Sequence, residues 1–117
     1  MQFKTLVLLL PALAATATAT VEVAFTGFYY ASCAVPSVTA KTLFPGSCGT
    51  VQNLPLKSFS ASIYSGSCDD SATSPFVKLY TASGCSEDSL YGEYEVSAEE
   101  ACFEVDGTFV AYEVVCQ

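Results

Sequence analysis

Six cysteines, Cys33, Cys48, Cys68, Cys85, Cys102 and Cys116, punctuate this chain of 117 residues, and their pairing limits the fold more than any other feature. An even number of cysteines spread at wide intervals reads as a disulfide framework when the chain reaches an oxidising compartment. A metal site would want C-x-x-C pairs or histidine partners. The chain has neither. All six cysteines are therefore expected in disulfides, and no metal or other cofactor is expected.

The first residues supply the compartment. MQFKTLVLLLPALAATATAT carries a lone Lys4, an apolar run from Leu6 to Ala15 and small residues after it, the pattern of a removable secretory signal. A membrane span needs about 20 apolar residues, and this run is broken by Pro11 and gives way to Thr16, Thr18 and Thr20. Cleavage is expected after Ala17 or Ala19. Residues 1–19 are thus assigned to the signal peptide and 20–117 to a single secreted, extracellular domain.

Charge excludes some partners. Between Thr20 and Ser67 the charged residues are Glu22, Lys41 and Lys57, whereas from Cys68 onward eleven acids face only Lys78. Nucleic acid and anionic lipid are bound through clusters of Lys and Arg, and this chain has four lysines, no arginine and a net charge of -8. Neither nucleic acid nor membrane is expected as a partner. The acidic half reads first as a solvated surface that keeps a secreted monomer soluble.

Several segments alternate apolar and polar residues at the two-residue period of a half-buried strand: VEVAFTGFYY, SFSASIY, FVKLY, LYGEYEV and TFVAYEVV. In SFSASIY, Phe59, Ala61 and Ile63 share one face and serines line the other. Clusters rich in Gly, Ser, Asp and Pro separate the segments, among them FPGSCG, SGSCDDSATSP and TASGCSED, and such clusters form turns. The acidic SAEEAC offers at most one helical turn, with Ser97 as cap and Glu100 three residues on. The chain reads as all-β.

The two halves of the domain repeat. Phe28 precedes Cys33 by five positions and Tyr80 precedes Cys85 by five; YASC matches YTASGC; a second cysteine follows after 14 residues in one half (Cys48) and 16 in the other (Cys102). Then come SFSASIY and TFVAYEVV, each opening on a hydroxyl residue and Phe, and a closing cysteine, Cys68 or Cys116. The copies span about 20–68 and 75–117. Six cysteines admit many pairings. The symmetry suggests Cys33 with Cys48 and Cys85 with Cys102, stapling each copy, and Cys68 with Cys116, tying the copies together.

A two-copy β-motif in which Phe28 leads to Cys33 and Tyr80 to Cys85, with strands opened by Ser58 and Thr108, resembles the βγ-crystallin family. It is most similar to small cysteine-rich secreted, effector-like proteins of filamentous fungi. The resemblance implies two Greek-key-like β-motifs packed as a disulfide-stapled sandwich. Many members of that family bind calcium through two acidic or amide residues, two variable ones, then two hydroxyl residues. DDSATS matches this pattern, making Asp69, Asp70, Thr73 and Ser74 a weak calcium candidate, although the match lies between the copies and has no counterpart in the second.

Catalysis finds little support in the composition. Hydrolytic triads and most acid-base schemes lean on histidine, and paired cysteines leave no thiolate nucleophile. Paired carboxylates, as in glycosidases, are the surviving option, through Glu93 with Glu95 or Glu104 with Asp106. The chain is expected not to be an enzyme. Tyr29, Tyr30, Tyr64, Tyr91, Tyr94 and Tyr112 offer amphipathic surface for recognition if they face outward, but tyrosines more often fill or edge a small β core. The leading expectation is an effector-like or toxin-like protein that binds an extracellular protein or glycan; a cell-wall structural protein is the alternative, and a carboxylate hydrolase the third.

Overall fold

A computed structural model describes residues 20–117, so the expected signal peptide lies outside the described residues. The alternating segments become strands, and one further segment joins them. In chain order they are β1 (Glu22–Phe28), β2 (Ser37–Leu43), β3 (Gly49–Ser65), β4 (Pro75–Tyr80), β5 (Leu90–Glu95) and β6 (Ala101–Cys116). All pair antiparallel in one sheet of order β2-β1-β3-β6-β4-β5. Period-two patterning decides the faces: Val23 and Phe25 of β1 and Val77 and Leu79 of β4 are buried with partly exposed residues between them, and Tyr80, where the hairpin register slips, is buried as well.

The two long strands, of 17 and 16 residues, each serve twice. The end of β3 lies between β1 and the start of β6, with Phe59 opposite both Gly27 and Phe103. Its start lies beside the end of β6, with Gly49 opposite Tyr112, and Tyr112 is also opposite Leu79 of β4. Each half of the sheet therefore borrows one strand segment from the other half. The register between β3 and β6 shifts twice, between Thr50 and Leu54 and between Leu56 and Ser58. Asn53, at a φ of 34°, and Pro55, which has no N–H to give, sit in that interval. Such residues are tolerated where a strand bends or bulges.

The sheet folds over so that its halves face each other. Phe59 on β3 and Tyr94 on β5 are three strands apart along the sheet, roughly 14 Å at the spacing of neighbouring strands, yet their rings meet edge to face at 5.0 Å. Phe25 stacks on Phe59 at 5.0 Å and lies parallel to Tyr112 at 6.4 Å. Around these rings pack Val23, Leu43, Leu56, Ala61, Val77, Leu79, Val96, Val105, Phe109 and Val114. The chain ends of both hairpins close onto the opposite half: Pro45 bridges to Val114, and the Ile63 N–H donates to the Ser97 carbonyl at 2.8 Å.

The connectivity of β1–β2–β3 recurs in β4–β5–β6. Each first strand pairs with its hairpin partner and with the following long strand, and the hairpin register slips at Gly27/Phe28 in one and at Leu79/Tyr80 in the other. The residue opposite Phe28 is Ser58, whereas the residue opposite Tyr80 is Ala111. Thr108 instead opposes Pro55, so its sequence match to Ser58 does not extend to the same place in the pairing.

Two of the three expected disulfides are exchanged. Cys68 pairs with Cys116, but Cys33 pairs with Cys102 and Cys48 with Cys85; no cysteine is free among the described residues. The cause is the strand exchange. Because the start of β3 runs along the second half, Cys48 just before it arrives beside the turn after β4; because the start of β6 runs along the first, Cys102, opposite Ser60, arrives beside the turn after β1. Both pairings obey the symmetry, and only the path of the long strands chooses between them. SAEEAC forms no helical turn: residues 97–100 bend, the Ser97 hydroxyl donates to the Glu99 carbonyl at 3.3 Å, and Ala101 already opens β6.

Candidate functional site

The turn after β1 is an outward corner held by three elements. Ser32 and Cys33 adopt left-handed φ values of 60° and 53°, which cost a residue with a Cβ about 1–2 kcal/mol each. Gly84 and Cys85 repeat the pair after β4 at 95° and 50°. In the first corner Ser58, fully buried, accepts the Cys33 N–H at 2.8 Å and donates its hydroxyl to the Tyr30 carbonyl. The Glu104 carboxylate accepts the Ser32 N–H at 2.9 and 3.3 Å. With the Cys33–Cys102 disulfide, these bonds tie the corner to β3 and β6. On this fixed backbone Tyr29, Tyr30 and Val35 are 48%, 58% and 81% exposed.

Beside the corner runs a shallow groove of about 160 Å³, bordered by Tyr29, Pro55, Lys57, Asp106 and Thr108 with Leu56 and Gly107 beneath. The β3–β6 register sets Leu56 opposite Gly107 and Pro55 opposite Thr108. Lys57 pairs with Asp106 at 2.8 Å, both largely exposed. The Tyr91 hydroxyl accepts the Asp106 N–H at 3.1 Å, and its ring sits edge to face on Phe109 at 4.9 Å. A Cβ on Gly107 would lie 3.2 Å from Phe109 and 3.6 Å from Tyr91, so a bare backbone here lets both rings close in. Tyr91 thus packs on the Phe109 side of the Asp106–Gly107 segment, whereas Tyr29 borders its groove side.

The remaining tyrosines divide. Tyr94 and Tyr112 are half-buried and belong to the core. Tyr64 is exposed on a separate surface with Ala24, Thr26 and Lys41. Burial, then the nearby Tyr91, raises the Tyr94 phenol above its ordinary range. Burial also raises Tyr80, the more so because its hydroxyl donates to the Glu113 carboxylate.

The candidate carboxylates do not converge on the groove as a pair. Of the four, Asp106 alone borders it, held by Lys57. Glu104 serves the corner. Glu93 and Glu95 point from β5 on the outer face of the second half, opposite Lys78 and Phe76, and Glu93 accepts from the Gln117 amide at 2.5 Å. Lys78 is also paired with Glu87 at 3.5 Å.

The calcium candidate forms a turn. Asp70 accepts the Ala72 N–H through its side chain at 2.9 Å, and the Thr73 hydroxyl and N–H both donate to the Asp70 carbonyl at 2.6 and 2.9 Å. Ser74 and Gln117 exchange backbone hydrogen bonds at 3.1 and 3.0 Å. Asp69, Asp70 and Thr73 line a cleft of about 500 Å³ beside Cys68–Cys116, while Ser74 does not. Among the described residues no group of three or more His, Cys, Asp or Glu side chains is placed to hold a metal ion.

Sequence reasoning missed Ser58 as the keystone of the corner and missed Lys57 with Asp106, whose partnership across 49 residues exists only through the β3–β6 register. No family model, curated protein or solved structure matches the chain.

Proposed function

We propose that this is a small secreted cysteine-rich protein, effector-like, that works without catalysis by binding an extracellular target through its first corner. The observation that carries the reading is the exposure of Tyr29, Tyr30 and Val35 on a backbone tied by one disulfide and by the hydrogen bonds of Ser58 and Glu104. Amphipathic rings on a preformed loop bind with little loss of conformational freedom. Three disulfides suit an oxidising compartment, and no helix among the described residues is long and apolar enough to cross a membrane. The engagement of Glu104, Asp106 and Glu93 in structural bonds favours recognition over acid-base chemistry.

The fold reading that accompanies this proposal is βγ-crystallin-like. It is supported by the end of β3 returning to lie beside β1, and the end of β6 beside β4, as the fourth strand of a Greek key lies beside the first.

Binding is tested with fluorescently labelled protein on intact cells and extracellular material of candidate targets, beside a Tyr29→Ser/Tyr30→Ser variant with the same melting temperature. Retention lost in the variant is expected. Equal retention of both proteins sinks the corner as the contact surface.

A further inference from the structure

We infer that the groove beside the first corner takes one strand of an uncharged polysaccharide, with a sugar ring laid on Tyr29 and its rim over Lys57, Asp106 and Thr108. This deepens the binding reading and rests on it. The chemistry of the borders points to a sugar. One face of a pyranose ring presents C–H groups, which pack on an aromatic face, while its rim presents hydroxyls that both donate and accept hydrogen bonds. Tyr29 supplies the aromatic face. Around it stand the three kinds of polar group the rim needs, the Asp106 carboxylate as acceptor, the Lys57 ammonium as donor and the Thr108 hydroxyl as either.

Charge narrows the class. Lys57 and Asp106 neutralise each other at 2.8 Å, so the groove has no net cation for a sulfate, phosphate or uronate. The chain as a whole carries -8 and repels polyanions at longer range. Shape narrows it further. At about 160 Å³ the groove is well below the roughly 300–1,000 Å³ of pockets that enclose a small molecule, so its occupant is a segment of something that continues past it. The corner backbone beside Tyr29 is tied by the Cys33–Cys102 disulfide and by the Ser58 and Glu104 hydrogen bonds, so little backbone freedom remains to be lost on binding.

The test is co-sedimentation of the disulfide-intact protein with insoluble chitin, cellulose and β-1,3-glucan, with polygalacturonate as the anionic control, at physiological ionic strength. Retention on at least one neutral polymer and none on the polyanion is expected. Tyr29→Ala should weaken that retention at least tenfold, and Tyr29→Trp should restore it, with melting temperatures unchanged because the ring lies outside the core. Asp106→Asn, which keeps an acceptor but frees Lys57, should weaken it less than Tyr29→Ala. Absence of retention on every neutral polymer overturns the inference, as does retention that Tyr29→Ala leaves intact. If binding to cells depends on Tyr29 and Tyr30 but survives enzymatic removal of neutral glycans, the polysaccharide is excluded while target binding by the corner still stands.

Discussion

At the scale of single residues, Ser58 does more than its size suggests. It is fully buried, and its hydroxyl both accepts from Cys33 and donates to Tyr30. Ser58→Ala leaves a donor and an acceptor unpaired, and each such group costs about 1–3 kcal/mol when buried. Because both bonds are only part-buried, urea unfolding should show a loss toward the low end of that range, about 1–2 kcal/mol; a loss under 0.5 kcal/mol, the ordinary size for a surface change, would mean that the corner is held without it. Tyr80 makes a second case. Its phenol ionises near pH 10 when unfolded and only at higher pH in the fold, because of burial and then Glu113. Above about pH 10 the folded state therefore holds a proton that the unfolded state has lost, so stability is full below that pH and falls as pH rises through the window. Tyr80→Phe should cost about 2 kcal/mol at neutral pH for the lost charge-assisted bond and flatten the decline between pH 10 and 11. Tyr94 is shifted the same way, so some slope persists in the variant. An unchanged slope would remove Tyr80 from the account.

At the scale of elements, legibility followed the strength of the alternation. β1, β4 and β5 stand out because more buried and more exposed residues alternate along most of their length. β2 does not: SVTAKTL has only Val38 and Leu43 to turn inward, and it lies at the edge of the sheet, where a strand forms because β1 offers it partners. The start of β3 is hidden by Asn53 and Pro55, and the start of β6 by its acids, so each long strand reads as its second half alone. The missing halves carry the exchange, and with it the disulfides and the Lys57–Asp106 side of the groove. The tyrosines could be counted in the sequence, but which of them share a surface depends on those same registers. One close approach fixes the exchange at its outer end. Gly49 opposes Tyr112, and a Cβ there would stand 2.3 Å from the ring. The ring packs against the core, near-parallel to Phe25, and must shift for a Cβ to fit. Gly49→Ala should destabilise by about 1–3 kcal/mol, the usual penalty for overpacking, and Gly49→Ala with Tyr112→Leu should recover part of it. A single variant as stable as the wild type would show that β3 does not start against that ring.

For the molecule as a whole, the two copies are interlocked rather than merely adjacent, since all three disulfides join residues of the first half to residues of the second. The closed loops span 69, 37 and 48 residues, and on the chain-entropy model each bridge formed alone stabilises by about 4 kcal/mol, on the order of half the stability of a typical small domain. Reduction should unfold the protein near room temperature. The pairing itself has a direct readout, because the described residues contain only Lys41, Lys57 and Lys78 as sites for a lysine-specific protease. Cleavage under denaturing, non-reducing conditions separates Cys33, Cys48 and Cys68 onto three different peptides and leaves Cys85, Cys102 and Cys116 together on the C-terminal one. With bridges 33–102, 48–85 and 68–116, every cysteine peptide stays attached to that last peptide in a single assembly. Pairing within the copies instead gives two assemblies, one holding Cys33 with Cys48 and the other Cys68 with the C-terminal peptide. Mass spectrometry before and after reduction distinguishes them without locating a single bond. Two assemblies would mean that β3 and β6 do not cross between the halves, and the groove beside the first corner, which that crossing builds, would fall with them.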